Sequence, residues 1–554
     1  MDREEHERLS SAIDLAISHT IEHGSDDIFK PPVFSGSIER ELISTNSQDF
    51  RRKIEPATLS FINQGNLTRN PIGRVRTTLT VRDAHSFRQV AWLEPEDSIK
   101  YLSLALLLFG QIESARIPKA AKIVHSHRLS DIPGNVFDGD YGYSSFRSRT
   151  GELAADNAGC WMIVTDISNF YDRIGNHSLE NHLLDAGCER KYVNLLREIL
   201  YFWSGDRRSF GIPVGTDASR IVSEAVLIDI DRRLMEREIN FVRYVDDFRI
   251  LAKTKAQAYQ LIQFVTELLA EEGLSLNVGK TRITQIVPRE DIDDGANEFK
   301  PEEHQAIDLT RKELVEVRRR VSGRTTYSKY YREPGQEALR KLRQLQKSEI
   351  LASFNSSIGA DQESQLKLLV KYFVYVDQDC EILRAVVDAK ITSVFYVVDA
   401  LLKEKDKFEA EKKTEIINCI FSLIDWERMA YPYQIPVLRL FSSDGYRHDE
   451  LAQKLVDNHR LLDNLVFLRE VVLVASASLD RPRLRRLALD VFPAVPAFVQ
   501  RAIFKAVVDH KSLSLDEKRP LLKNMRQTAA DWYIGKIPDP CNRQEEDAPD
   551  APSA

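Results

Sequence analysis

Asp166 and the adjacent pair Asp246-Asp247 are the residues of this 554-residue chain whose type and setting point to chemistry. An Asp-Asp pair alone is usually a solvated turn. Here it lies between Phe241-Val242-Arg243-Tyr244-Val245 and Phe248-Arg249-Ile250-Leu251, and apolar flanks on both sides imply a buried hairpin with acids at its tip. Trp161-Met162-Ile163-Val164-Thr165 is a short apolar strand ending in Asp166. Three acids on neighbouring strand ends would repel one another by several kcal/mol at short range unless cations sit between them. Oxygen-only ligands favour magnesium, with manganese as an alternative. Two such ions ~4 Å apart could activate a 3′-hydroxyl and stabilise a departing pyrophosphate.

The elements that must position these acids form a strand-and-helix segment from Trp161 to Val287. Apolar spacing predicts helices over 178–202, 217–238 and 255–272, two strands folded about Asp246-Asp247, and a strand from Leu274 to Asn277. A loop containing Gly211-Ile212-Pro213-Val214-Gly215 separates the first two helices. Upstream, a helix is expected near the N-terminus around Leu9, Ile13 and Ile17, then loop-like sequence from Pro31-Pro32 to Asn70-Pro71. Alternation over 74–92 suggests an arginine-rich strand pair, followed by a buried helix over 95–114. Beyond residue 300 strand signals nearly vanish. Helical spacing dominates, with breaks at Pro432, Pro436, Pro482, Pro493 and Pro496; a stack of helix pairs is the expectation. The tail from Pro538 has too few apolar residues to pack and is expected to be disordered.

The composition, 43% hydrophobic and 29% charged, is that of a globular protein. A formal charge of −7 advertises no global basic field, although a local basic groove can sit on an acidic protein. Five cysteines without CxxC spacing argue against a zinc site or disulfide framework and fit a reducing cytoplasm. No signal-peptide pattern opens the chain, and the longest apolar segment, Leu102 to Ile112, is about half the ~20 residues a spanning helix needs. A cytoplasmic protein without membrane attachment is expected. His125-Ser126-His127 has no Cys or His partner at useful spacing and reads as an ordinary loop.

Four motifs occur in order: Asp166-Ile167-Ser168-Asn169-Phe170-Tyr171, Gly211-Ile212-Pro213-Val214-Gly215, Tyr244-Val245-Asp246-Asp247, and Leu276-Asn277-Val278-Gly279-Lys280. Together they resemble the palm of reverse transcriptases over residues of about 74–290. The resemblance implies that Asp166 and Asp246 are the main metal ligands, with Asp247 assisting and the Ile167 carbonyl contributing. It places Tyr171 as an aromatic gate against a ribose 2′-hydroxyl, the other reading being a core aromatic. Gly215 would let backbone approach the nucleotide. Lys280 would sit near the leaving phosphate or be a solvated lysine. Arg82 and Arg88 lie on the presumed fingers hairpin where the family clamps the triphosphate, although sequence does not choose among Arg74, Arg76, Arg82 and Arg88.

Val214 replaces the usual Gln of templated enzymes, Ser219-Arg220 replaces Ser-Pro, and no recognisable thumb follows Lys280. With the long helical region, this pattern resembles bacterial abortive-infection (Abi) and related defence-associated reverse transcriptases. That resemblance implies an α+β fold: an N-terminal extension (1–73), fingers and palm (74–295), an all-α, HEAT-like repeat domain (296–537) and a tail (538–554). It implies use of dNTPs, a single-stranded DNA product, a homo-oligomer, and antiphage defence by protein-primed, template-independent synthesis. A conventional polymerase copying an RNA template and an inactive palm serving as a scaffold are the alternatives. The priming residue is unknown; Arg318 to Arg332 mixes cations with aromatics, suiting either a nucleic-acid strand or a solvated basic helix.

Overall fold

In the computed structural model, the structure describes residues 3–24, 38–83, 86–205 and 209–286, together with 331–541 apart from 332, 358–359, 390, 424–429, 442, 444, 447–463, 477–478 and 540. The chain divides into two compact units. One comprises Met1–Asp27, Ile43–Arg76 and Val90–His304; the other comprises Ile28–Leu42, Thr77–Gln89 and Gln305–Ala554. The architecture is mixed α/β with mostly helical content.

The first unit is built around a four-stranded antiparallel sheet of β3 (Trp161–Asp166), β4 (Phe241–Tyr244), β5 (Asp247–Ala252) and β6 (Arg282–Gln285), in the order β4-β5-β3-β6. Side chains alternate across it. Met162, Val242 and Leu251 pack with Phe146 and Leu153 of α5 (Tyr143–Ala155) and with Ile286. α10 (Lys255–Glu271) packs on β3 and β5, and Thr254 caps it by accepting from the Gln257 amide.

The helical layer centres on α4 (Pro95–Ala115), which buries residues on nearly every side and packs against α1 (Arg3–His23) and α9 (Asp217–Glu236). A helix apolar all round belongs in a core, and the prediction over 95–114 agrees with α4. The expected helix over 178–202 is instead two, α7 (Asn176–Asp185) and α8 (Arg190–Ser204), broken where Gly187 takes φ 82°.

Two other expectations differ. The loop expected between Pro32 and Asn70 contains α2 (Ile38–Thr45) and α3 (Ser47–Gln64). α3 carries Pro56 internally, yet Phe50, Ile54, Phe61 and Ile62 still bury one stripe, and Gly65 closes the helix at φ 56°. The strand expected at 274–277 is a single bridge from Leu276 to Ile167, while β6 at Arg282–Gln285 supplies the edge strand. β6 reads poorly in sequence because none of its side chains is fully buried.

In the second unit, Thr77–Gln89 covers most of the hairpin of β1 (Arg76–Asp83) and β2 (Ser86–Trp92), and it packs with the C-terminal helices. The Leu79 amide donates to the Tyr431 hydroxyl at 2.8 Å, and Phe87 lies 5.6 Å from the Tyr433 ring. Helices fall where Leu366, Leu383, Leu484 and Ile503 predict them: Ala360–Tyr375, Cys380–Ala389, Arg481–Arg486 and Ala497–Asp509. Pro436 lies inside the helix Tyr431–Phe441 instead of breaking it, whereas Pro482 occupies a first-turn position and Pro496 an N-cap. A buried ion cluster ties Glu39 to Arg469 (2.6 Å) and Arg501 (3.1 Å). No described helix is long and apolar enough to cross a membrane. All five cysteines are free thiols.

Candidate active site

The antiparallel register of β3 and β5 sets Asp166 directly opposite Asp247. Opposed residues in such a pair have Cα atoms about 4.5–5.5 Å apart. The two-residue turn Val245-Asp246 joins β4 to β5, and the Ile167 amide donates to the Asp246 carbonyl at 3.1 Å. The end of β3 is held on its other side: the Asn277 amide donates to the Asp166 carbonyl at 2.8 Å, and the Ser168 amide to the Ser275 carbonyl at 2.8 Å. Asp166 and the Asp246-Asp247 pair, far apart in sequence, therefore meet at one end of the sheet.

The turn is strained. Val245 has φ 53°, a left-handed backbone on a β-branched residue. Such a conformation is rare outside glycine and costs roughly 1–2 kcal/mol. Glycine is the usual occupant of the first central position when a two-residue hairpin turn needs positive φ there. Val245 is instead buried at 6% exposure.

Asp166 is 2% exposed, and its Oδ2 accepts from the Lys280 ammonium at 2.5 Å. Its Oδ1 is buried without a hydrogen-bond partner. Burial, then the charges of Asp247 and Asp166, pushes the Asp246 carboxyl up to about 6, against a smaller pull from Lys280. Burial likewise raises Asp247; the Arg249 guanidinium, 3.9 Å away, opposes the shift. Among the described residues no three His, Cys, Asp or Glu side chains stand arranged as a metal cluster. The Lys280 ammonium supplies the positive charge beside Asp166. The residues nevertheless fit a divalent cation: the donors are all oxygen, one buried oxygen is unsatisfied, and burial makes the two neighbouring carboxyls harder to ionise.

Tyr171 sits beside this site. Burial raises its phenol, the Asp246 charge adds to the shift, and a hydrogen bond with Ser223 opposes it. The glycine loop docks on the same segment: the Ile212 amide donates to the Tyr171 carbonyl at 3.0 Å and the Gly211 amide to the Ile174 carbonyl at 2.8 Å. Gly211 needs φ 96°, and a Cβ there would meet the Asp172 carbonyl oxygen at 3.4 Å. Gly215, at φ 102°, precedes Thr216, whose hydroxyl accepts from the Ser219 amide and caps α9. Ser219 also hydrogen-bonds the buried Tyr101 hydroxyl, 3.1 Å away.

The remaining sequence candidates separate. Arg82 and Arg88 belong to the second unit, on the β1–β2 hairpin, and the Arg82 side chain lies outside the described residues. Arg76 spends its guanidinium on Glu94 at 3.4 Å and on the Trp92 ring. His125 contacts Ser145 and the Lys122 carbonyl, both at 3.0 Å, as a loop histidine does. Of the basic-aromatic stretch from Arg318 to Arg332, Tyr331 alone is described; it is 1% exposed, and its amide donates to Asp399. The tail beyond Cys541 also lies outside the described residues.

Sequence reasoning missed the ions behind the hairpin. Arg243, fully buried, donates Nε and Nη2 to Asp231 at 2.8 and 2.5 Å, Nη2 to Glu224 at 3.0 Å, and Nη1 to the Val245 carbonyl at 2.9 Å. Arg116 meets Glu224 at 2.8 Å, and the Ser126 hydroxyl donates to Glu224 at 2.6 Å. Burial alone would raise Glu224; Arg116 and Arg243 outweigh it and hold the carboxyl down at about 2. The available signal was a cation amid the apolar residues of a strand, with two acids seven residues apart on α9, where helical periodicity puts them on one face.

The sheet thus brings Asp166 and the Asp246-Asp247 turn to one strand end beside the glycine loop. Residues 118–314 match the model of the family described as reverse transcriptase (RNA-dependent DNA polymerase). The chain thus carries a reverse transcriptase domain and is an enzyme, a nucleotidyltransferase of the RNA-directed DNA polymerase type. No curated protein matches it. Solved structures similar to it include telomerase from Candida albicans in complex with a TWJ fragment of telomeric RNA, at TM-score 0.31 and 12% identity over 69% of this chain and 67% of that one. Apo telomerase from Candida tropicalis gives 0.32 and 11% over 74% and 68%. The Candida tropicalis enzyme with the same RNA fragment gives 0.30 and 12% over 66% and 63%.

Proposed function

We propose that this enzyme adds deoxynucleotides to a growing DNA strand at Asp166, Asp246 and Asp247, and that it serves bacterial antiphage defence. The observation that carries the chemistry is the opposition of Asp166 and Asp247 with Asp246 in the intervening turn. Reverse transcriptase domains in general use divalent metals. Asp166, Asp246 and Asp247 would hold magnesium here, with the Ile167 carbonyl as a further ligand. Bound there, the metal supplies Lewis-acid stabilisation of charge on the attacking and leaving oxygens.

The chain's own residues do the rest. The glycine loop, kept open by the positive φ of Gly211 and Gly215, gives backbone a close approach to the nucleotide. Tyr171, half-buried beside Asp246, would occupy space that a ribose 2′-hydroxyl needs. Lys280 neutralises Asp166 and can turn to a phosphate, since half of its side chain is exposed. Arg82 and Arg88 are the proposed clamp on the triphosphate.

The defence role, the homo-oligomer and protein-primed synthesis without a template rest on the resemblance of Pro213-Val214-Gly215, Arg243-Tyr244-Val245-Asp246-Asp247-Phe248 and the C-terminal helical region to the abortive-infection group. The description of the matched family favours a second reading, copying of an RNA template. Incubating the protein with magnesium and labelled dNTPs, with and without an RNA template and primer, followed by denaturing gels, decides. Label retained on the polypeptide without added nucleic acid supports protein priming. Label dependent on template and primer supports RNA-directed copying. No incorporation under either condition, with Asp246→Ala still protecting cells from phage, overturns the polymerase reading.

A further inference from the structure

The β4–β5 turn combines an unfavourable backbone with a dedicated support. Val245 holds φ 53° although its branched side chain disfavours that region. Both carbonyls of the turn are engaged: Val245 accepts from Arg243 Nη1 at 2.9 Å, and Asp246 accepts from the Ile167 amide at 3.1 Å. Ile167 is part of the Asp166 motif, whereas the Arg243 contact comes from a side chain that touches none of the three acids in the contacts described above.

Alternation explains how Arg243 reaches its place. Val242 and Leu251 face α5, so Phe241 and Arg243 face the opposite side of the sheet. There the guanidinium meets Asp231 and Glu224 of α9. Its backbone is fixed as well, the amide donating to the Ile123 carbonyl at 2.8 Å and the carbonyl accepting from the His125 amide at 2.9 Å. Glu224 is held in turn by Arg116 and Ser126. A planar fork is needed, because one group must grip Asp231 through two nitrogens while a third reaches the turn.

We infer that Arg243 is a positioning residue: its buried guanidinium, anchored on α9 by Asp231 and Glu224, holds the Val245-Asp246 turn in the left-handed conformation that presents Asp246 and Asp247. The inference rests on reading those two aspartates as the catalytic acids. Its consequence is that α9, which begins next to the glycine loop at Asp217, also sets the geometry of the acids. Small displacements of such groups cost about 100-fold in rate.

The test is a pair of variants assayed for dNTP incorporation on the full chain. Arg243→Lys keeps the charge and loses the fork; kcat should fall about 100-fold while KM for dNTP moves less than about 3-fold. Adding Val245→Gly, which removes the steric objection to positive φ, should recover about 10-fold of that loss. Unchanged kcat in folded Arg243→Lys, or a loss that Val245→Gly does not recover, overturns the inference. Should Arg243→Lys fail to fold, the isocharged pair Arg243→Met with Asp231→Asn takes its place, with the same two outcomes. Asp246→Asn run alongside separates the underlying reading: activity surviving that change removes the catalytic acids themselves, whatever Arg243 does.

Discussion

Asp166 and Asp247 face each other across β3 and β5, and their cations differ in closeness: Lys280 bonds Asp166 at 2.5 Å, while Arg249 stays 3.9 Å from Asp247. The site therefore concentrates more negative charge than the protein neutralises. Burial and mutual repulsion then fall on Asp246, at the turn between them.

Asp246→Asn separates function from stability. The Asp246 carboxyl sits at about 6, above its unfolded value of about 3.9, so the folded protein binds more protons between those limits. Stability is lost as pH rises from about 4 to about 6, and above that the full penalty, about 1–3 kcal/mol, persists. Removing the charge should raise Tm of the metal-free protein at pH 8 while lowering dNTP incorporation by about 1,000-fold. Calorimetry beside an incorporation assay checks both; a variant both less stable and fully active contradicts the assignment. For the same reason magnesium should stabilise the parent protein at pH 8 and much less at pH 5, where protons hold Asp246.

Lys280→Met leaves Asp166 without its cation. In metal-free protein the thermal midpoint should fall, because the buried Asp166 carboxylate loses its cation, the half-exposed lysine limiting the loss. Magnesium should restore it. If Lys280 also meets the triphosphate, KM for dNTP should rise about 10-fold, the worth of one charge-assisted hydrogen bond. Steady-state kinetics with unchanged KM would leave Lys280 as a neutralising group alone.

Tyr171→Val tests the sugar gate. Removing a ring packed beside Asp246 should cut discrimination between dNTP and rNTP by about 100-fold, mostly through improved rNTP use. Paired kcat/KM measurements on the two substrates provide the readout. A uniform loss on both substrates would mark Tyr171 as a core aromatic.

What the sequence disclosed followed the strength of its periodicities. Apolar runs around Asp166 and Asp246-Asp247 announced β3, β4 and β5, and the antiparallel register then had to oppose the acids. α4 was legible because it is apolar all round. α3 was not, since it lies within the stretch from Pro31-Pro32 to Asn70-Pro71 that reads as loop, and its apolar stripe is interrupted by Pro56. Arg243 was hidden for a related reason: a charge in a strand reads as exposed, and its partners on α9 are close only after folding. The hairpin of Thr77–Gln89 was recognised as strands, yet its grouping with the C-terminal helices depends on contacts over some 350 residues, which local pattern does not encode.

That grouping yields the last prediction. The Leu79 amide on β1 donates to the Tyr431 hydroxyl of the helix Tyr431–Phe441, and Phe87 on β2 meets Tyr433 of the same helix. A backbone amide deprived of its partner in a half-buried setting loses about 1 kcal/mol. Tyr431→Phe keeps the ring and removes the acceptor, so hydrogen exchange at the Leu79 amide should accelerate by about 5-fold. Because Arg82 and Arg88 ride on that hairpin, the variant should also raise KM for dNTP while leaving kcat nearly unchanged, if these arginines clamp the triphosphate. Faster exchange with unaltered KM would take the triphosphate clamp away from the hairpin and return the question to the arginines of the first unit, Arg74 and Arg76.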